Sequence, residues 1–418
     1  MVNQRLAARS AFVAAIALVS CSGGGGSPVQ PIRGIGTVPT ATPTAVPTST
    51  PTIAPTGKPT ATPTATPTAK PSTAPTATPT ATPVPTATPT SVPTTNACAR
   101  PLPAGPSILY SASVDAPALT VYAGDFSGSS TSSFNVQPGV YANGQQTDLE
   151  VPFSVALGPN GNVYTLETAG GASTTTATVA EYLPNFNCMG PVATLNGLPP
   201  GGSSPGSVPV DAAGYIYVAT QTPRQLALYA PLAPGAQAPQ PLATISIPAA
   251  ESASSSRAQS DPIGIKLDAS GRIYIADGYD NSILVYSARS GSTLSATPSA
   301  TIVGSTTSLD TAVDVAVDAA GKIYVVDDDY PYGVKIFAAN PSGTTNEAPI
   351  ARIGGSLSEG FYFAASVAVD HLGEIYFGYA QTPFESGIVE YPPNPSGMVN
   401  ESPQGMLGGT NPTGLVAK

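Results

Sequence analysis

The sequence predicts an all-β fold: a six-bladed β-propeller of four-stranded blades, its first blade completed by the C-terminal strand and preceded by a disordered Pro/Thr-rich linker. Three observations lead there. A tyrosine-bearing segment recurs six times at steps of 50 to 57 residues. A strand-like segment without a following hairpin closes the chain. Composition also changes abruptly near residue 97, from Ala/Thr/Pro repeats to β-branched runs broken by Gly, Asp and Ser.

Residues 1–20 read as an export signal. Arg5 and Arg9 precede a short apolar run, A-F-V-A-A-I-A-L-V from Ala11 to Val19. That run is too short to span a bilayer, which takes about 20 apolar residues. It ends in L-V-S-C, Leu18 to Cys21, and S-G-G-G-G-S follows at once. The L-V-S-C segment resembles the bacterial lipobox. The resemblance implies cleavage before Cys21 and lipidation of its thiol, hence a membrane partner through the lipid. Ser22 stands where Asp would mark inner-membrane retention, which favours the outer membrane of a two-membrane envelope.

Residues 21–97 form the lipidated start and a stalk. After a Gly/Ser-rich spacer, residues 38–95 are built from A-T-P-T and close variants. Proline fixes φ and removes backbone donors, so helix and sheet are both disfavoured. Little here can be buried to offset ordering entropy. The expected state is a polyproline-II-like coil, reaching roughly 180 Å at about 3.1 Å per residue.

Residues 98–418 carry the repeat. S-V-P-V-D-A-A-G-Y-I-Y-V-A (207–219), G-I-K-L-D-A-S-G-R-I-Y-I-A-D (264–277), D-V-A-V-D-A-A-G-K-I-Y-V-V-D (314–327) and S-V-A-V-D-H-L-G-E-I-Y-F-G (366–378) align directly. A fifth copy, at 154–166, has Gly158 in place of the turn aspartate. Each reads as a β-hairpin with glycine at a positive-φ turn position. A third strand such as S-I-L-V-Y (282–286) and a fourth such as P-S-A-T-I (298–302) follow, and four short antiparallel strands make a blade. Tyr110 marks a sixth copy that lacks an inner strand, and P-T-G-L-V (412–416) supplies one. Closing the ring this way leaves no open edge at the seam. Asp211, Asp268, Asp318 and Asp370 fall in the hairpin turns and read as structural.

V-A-V-D-x-x-G-x-I-Y-V-x-D with its following I-x-V-Y/F strand resembles the NHL-repeat propellers, and more loosely the gluconolactonase-like propellers. The resemblance covers about 105–418 and speaks for fold far more than for function. Two cysteines remain beyond Cys21. Cys98 and Cys188 are expected to pair in an oxidising compartment, pinning the start of the domain to blade 2.

All 25 acidic residues and ten of the 15 basic ones lie at or after residue 98. An acidic domain repels phosphate backbones, so no nucleic-acid partner is expected. The layout of the resembled families puts ligands at the mouth, where strand 2–3 loops and the segments leading into strand 1 converge. Asp277, Asp280, Asp327, Asp328 and Asp329, with Asp261 and Asp310, crowd two blades there. Such carboxylates could hold Ca²⁺, and Tyr279, Tyr330 and Phe361 could stack on a ligand. The alternative is that Asp277 and Asp327 cap strand ends through side-chain-to-backbone bonds.

Catalytic residues are not identified. The single histidine, His371, sits in a turn and cannot supply the histidines that zinc lyases on this fold use. Glu167 is the nearest candidate for a lactonase-type metal glutamate. No G-x-S-x-G elbow, phosphate loop or Cys-x-x-Cys occurs. The sequence thus points to a monomeric, envelope-anchored binding or scaffold propeller for a protein, peptide or glycan, needing no cofactor. A metal-dependent lactonase- or esterase-like hydrolase is the alternative.

Overall fold

The computed structural model describes residues 102–418 except segments 114–117, 127–132, 137–148, 169–176, 185–189, 199–206, 234–239, 249–262, 328–332, 355–364, 382–384 and 410–411, and positions 104, 125, 150 and 222. Apart from one 3₁₀ turn, Ser305–Thr307, the regular elements among these residues are strands. Val, Ile and Tyr alternate in short runs between Gly- and Asp-bearing turns, which suits a pleated, buried sheet and no helix.

Six sheets form the six blades. Blade 1 contains β1 (Ile108–Ser113), β2 (Ala118–Ala123) and β3 (Ser133–Val136). Blade 2 contains β4 (Val151–Leu157), β5 (Val163–Thr168), β6 (Ala177–Tyr182) and β7 (Ala193–Leu198). Blade 3 has β8 (Ile216–Gln221), β9 (Arg224–Tyr229) and β10 (Ala243–Ser246). Its inner strand is reduced to a bridge between Val210 and Ile216, because Pro209 interrupts the run and has no N–H to give. Blade 4 has β11 (Ile263–Leu267), β12 (Ile273–Asp277), β13 (Ser282–Tyr286) and β14 (Ala300–Val303).

Blade 5 runs β15 (Ala312–Val317), β16 (Ile323–Asp327), β17 (Gly333–Phe337) and then, after β18 (Gly343–Thr345), β19 (Ala351–Ile353). Blade 6 runs β20 (Ser366–Val369), β21 (Ile375–Gln381), β22 (Glu385–Tyr391) and, after β23 (Gly397–Val399), β24 (Gly405–Gly408). The final strand, β25 (Pro412–Ala417), pairs antiparallel with β1, placing Tyr110 opposite Val416. The last strand of the chain is therefore the innermost strand of blade 1.

Blades 4 and 5 each gain a fifth strand that the sequence did not announce. β18 pairs in parallel with β14, and β23 pairs in parallel with β19. Each donated strand comes from the strand 3–4 connection of the next blade. Both connections carry N-P-S-G, with Asn340 and Asn394 left-handed at φ 57° and 56°. The donated strands cover what would be open sheet edges.

Among the described residues the core is divided by the blade interfaces into six clusters. Tyr324, Val326 and Ile336 of blade 5, for example, pack on Ile375, Phe377 and Val389 of blade 6. The sixth cluster joins Leu109, Tyr122 and Phe126 of blade 1 to Tyr376 and Ile388 of blade 6, which closes the ring. Burying side chains of this size contributes about 1.5–3 kcal/mol each.

Candidate functional site at the propeller mouth

The hairpin end of the blades shows what the repeat requires. Asp211 Oδ1 accepts the N–H groups of Ala213 and Tyr215 at 2.9 and 3.0 Å, and its Oδ2 accepts Tyr217 Oη–H at 3.3 Å. Asp318 repeats this with Ala320, Lys322 and Tyr324, at 2.9, 2.8 and 3.0 Å. Asp268 with Tyr274 and Asp370 with Tyr376 do the same at 3.2 and 3.3 Å. Gly214, Gly271, Gly321 and Gly373 end these turns at φ between 82° and 86°. Burial, and then the charge of Asp211, push the Tyr217 phenol well above its usual range.

At the mouth, the residue three past each repeat tyrosine lies at or near the end of its strand. In blades 4 and 5 that residue is Asp277 or Asp327, both fully buried. Asp277 is gripped by the Arg224 guanidinium of blade 3: Nη1 donates to Oδ1 at 3.2 Å and Nη2 to Oδ2. Arg224 Nη2 also donates to Asp280 Oδ2 at 3.3 Å and to the Pro248 carbonyl at 3.2 Å. Its guanidinium lies 5.0 Å from the centre of the Tyr279 ring, within cation–π reach. The structure thus brings Asp277, Asp280 and Tyr279 together, on a cation from the neighbouring blade.

Asp327 is closed differently. Its Oδ2 accepts the Asp310 N–H at 2.9 Å and Lys335 Nζ–H at 2.7 Å, and its Oδ1 accepts the Thr311 N–H at 3.1 Å. Lys335 also donates to the Ser308 carbonyl at 2.5 Å, and only 5% of its side chain is exposed. Asp327, at the end of strand 2, therefore ties the segment leading into strand 1 to the middle of strand 3. Asp310 is brought to the same corner through its backbone.

In blade 2, Glu167 occupies the position matching Asp277 and Asp327. It is buried and accepts hydrogen bonds from Tyr182 Oη at 3.0 Å and from Thr165 Oγ1. Among the described residues, no three carboxylate, histidine or cysteine groups converge as a metal set. Asp261, Asp328, Asp329, Tyr330 and Phe361 of the mouth lie outside the described residues, as do Cys21, Cys98 and Cys188.

A charged pair on the inner strands had not been singled out from the sequence. Asp314, in β15, stands where the aligned residues are Ser154, Ser207, Gly264, Ser366 and Gly414. Its carboxyl accepts the Val367 N–H of blade 6 at 3.0 Å and Ser207 Oγ–H of blade 3 at 3.4 Å. A Cβ on Gly264 would lie 2.5 Å from Asp314 Cα, so only glycine lets these inner strands approach. Burial raises the Asp314 carboxyl against the opposing charge of Lys266. Lys266 Nζ itself donates to the Leu415 carbonyl of blade 1, on the opposite side of the ring, at 3.0 Å. Lys266 stands where the aligned residues are Ala156, Pro209, Ala316, Ala368 and Val416. A charge where every other repeat has a small or apolar residue is a signal available from the repeat alignment.

The fold and its mouth define this protein as a six-bladed β-propeller with a charge-lined mouth. No family model matches the chain, and no curated protein does. Similar solved structures include a protein of unknown function from Bacteroides caccae, 10% identical, with a TM-score of 0.48 over 75% of this chain and 99% of that one. A "putative 6-phosphogluconolactonase" from Bacteroides fragilis is 8% identical, with a TM-score of 0.46 over 75% of this chain and 98% of that one. A protein from Lactobacillus plantarum is 11% identical, with a TM-score of 0.43 over 68% of this chain and 78% of that one.

Proposed function

We propose that this chain is a lipid-anchored propeller of the cell envelope, in the NHL-repeat mould, that binds its partner rather than transforming it. The carrying observation is the state of the mouth acids. Asp277 and Asp280 answer Arg224, and Asp327 answers Lys335, so their charge is answered within the fold. A metal-dependent hydrolase needs several oxygen ligands converging on one point, at about 2.3–2.6 Å for Ca²⁺. Paired acids instead give a rigid, polar rim, with the Tyr279 ring held against Arg224. An aromatic ring backed by a cation suits stacking on a glycan or on an extended peptide. The lipobox-like L-V-S-C and the stalk add presentation away from a membrane.

The test uses the full-length chain in a bacterial host fed an alkyne fatty acid. Cys21→Ser should lose both the label and membrane fractionation. Binding is read by co-sedimentation with purified peptidoglycan and by cross-linking to envelope proteins. Tyr279→Ala should weaken whichever contact is found by about fivefold or more, the effect of losing roughly 1 kcal/mol. Hydrolysis of a lactone panel that rises with added Ca²⁺ would replace this reading with the hydrolase.

A further inference from the structure

Blades 4 and 5 have their outer edges covered by the chain itself, and both covers follow one pattern. A glycine with positive φ opens each donated strand, Gly343 at 62° and Gly397 at 64°. Its N–H donates to the carbonyl of Ser299 at 3.2 Å in blade 4, or of Ile350 at 3.4 Å in blade 5. Gly343 then lies opposite Ala300 and Thr345 opposite Ile302, while Gly397 lies opposite Ala351 and Val399 opposite Ile353. The middle residues, Thr344 and Met398, face solvent; Thr345 and Val399 are half-buried. A covering segment is thus glycine, an unconstrained residue, then a β-branched one.

Blade 3 presents the same edge with no such cover. P-L-A-T-I (241–245) aligns with P-S-A-T-I (298–302) of blade 4 and P-I-A-R-I (349–353) of blade 5. Among the described residues, no strand pairs with the outer side of β10. Ala243 is half-buried where Ala300 and Ala351 are buried, and Thr244 is exposed where Thr301 and Arg352 are half-buried. Ile247 gives its N–H inward to the Arg224 carbonyl at 3.0 Å, so strand alternation turns the N–H groups of Thr244 and Ser246 outward. The blade 4 connection is as long as those of blades 5 and 6, but R-S-G-S (289–292) replaces their N-P-S-G. Ser290 and Thr293 close a tight turn on each other at 3.1 and 3.0 Å, and Arg289 turns to Asp211 instead.

We propose that the outer edge of blade 3, Leu242–Ser246, is a docking strand for a partner polypeptide, which adds an extended Gly-x-Thr or Gly-x-Val segment in parallel. An exposed edge offers unpaired N–H and C=O groups as a template, and strand addition is an established mode of peptide recognition. β18 and β23 set the chemistry of the occupant, because they fill this register on the next two blades. None of Leu242–Ser246 belongs to the mouth, so failure at this edge leaves the mouth reading standing.

The probe is the peptide N-P-S-G-T-T-N-E, a copy of Asn340–Glu347, added to the full-length chain. At about 1 mM peptide the Thr244 amide should exchange at least about threefold more slowly, which corresponds to a Kd of roughly 0.5 mM or tighter. The peptide N-P-S-G-T-P-N-E, which lacks the N–H of the third strand residue, should have no such effect. Thr244→Pro removes the outward N–H at a position where an edge strand tolerates proline. It should weaken binding of the labelled peptide, read by fluorescence anisotropy, by about fivefold or more. The combined variant Arg289→Asn, Ser290→Pro, Gly291→Ser and Ser292→Gly gives blade 4 the covering motif, and should slow Thr244 exchange with no peptide added. Protection of the Ile323–Val325 amides in blade 5 verifies that each variant is folded. No slowing in the parent, or a folded Thr244→Pro that binds as before, overturns the proposal. Slowing that grows with protein concentration in the absence of peptide overturns it in favour of a second copy of the chain.

Discussion

The two ends of the blades treat aspartate differently. At the hairpin end, Asp211, Asp268, Asp318 and Asp370 accept neutral donors from their own turn and the repeat tyrosine. At the mouth end, Asp277 and Asp327 are each closed by a cation, Arg224 from the adjacent blade and Lys335 from within the blade. Arginine reaches two of the hairpin aspartates as well, since Arg289 meets Asp211 and Arg272 meets Asp268. Even so, the turn pattern is complete without them in blades 5 and 6. The turn aspartate that recurs in blades 3 to 6 is a requirement of the fold. The charged residues that appear in single blades, at the mouth and on the inner strands, are free to serve a ligand.

The sharpest way to break this contrast is Lys335→Met. The pair is buried, and removing one partner strands the other charge, at a cost of about 3–5 kcal/mol. Urea denaturation should show that loss as a lower midpoint with an unchanged slope. The double variant Asp327→Leu/Lys335→Met should recover part of it, though not all, because the Asp310 and Thr311 N–H groups then lack their acceptor. A single variant within about 1 kcal/mol of the parent would mean that the mouth pair is solvated like a surface one.

A smaller effect should come from making blade 2 conform to its siblings. Gly158 replaces the hairpin aspartate there, and the Tyr164 ring has moved into the space: a Cβ on Gly158 would lie 2.5 Å from Tyr164 Cε2. Burial, and then the charge of Glu181, push the Tyr164 phenol above its usual range. Gly158→Asp therefore restores the motif and still should destabilise by about 1–3 kcal/mol, the usual cost of overpacking. A stabilised variant would show that the ring swings back and that the turn aspartate dominates local packing.

Much of this was legible in the sequence because the repeat states each requirement several times. The aligned tyrosines, the turn glycines and the orphan strand at 412–416 each correspond to an observed element. The counter-ions of the mouth were not read. Lys335 sits in G-V-K-I-F where the matching residues are Ala180, Ala227, Leu284 and Val389, so a lone cation in a buried strand was available as a signal. Arg224 could not be assigned that way, because its partner lies in another blade and pairing across blades has no sequence period. The donated strands β18 and β23 escaped for the same reason. Their G-T-T and G-M-V segments are too short to show alternation and pair only with a neighbouring blade.

The smallest predicted effect distinguishes two hairpin-turn carboxyls, Asp268 in blade 4 and Glu374 in blade 6. Burial alone would raise the Asp268 carboxyl, but bonds from Ser270 and Arg272, with the Arg272 charge, outweigh it and leave the group below its ordinary 3.8. A lowered carboxyl stabilises the fold above its unfolded pKa, and that contribution is lost as pH falls through the folded value. Glu374 runs the other way, losing its contribution as pH rises toward about 7. Asp268→Asn should therefore flatten the acid limb of a urea-midpoint profile and leave the neutral limb as it was, while Glu374→Gln should do the reverse. If both substitutions changed the same limb, the opposite shifts of the two turn carboxyls would not be what shapes the profile, and the distinction between the blade 4 and blade 6 turns would fail.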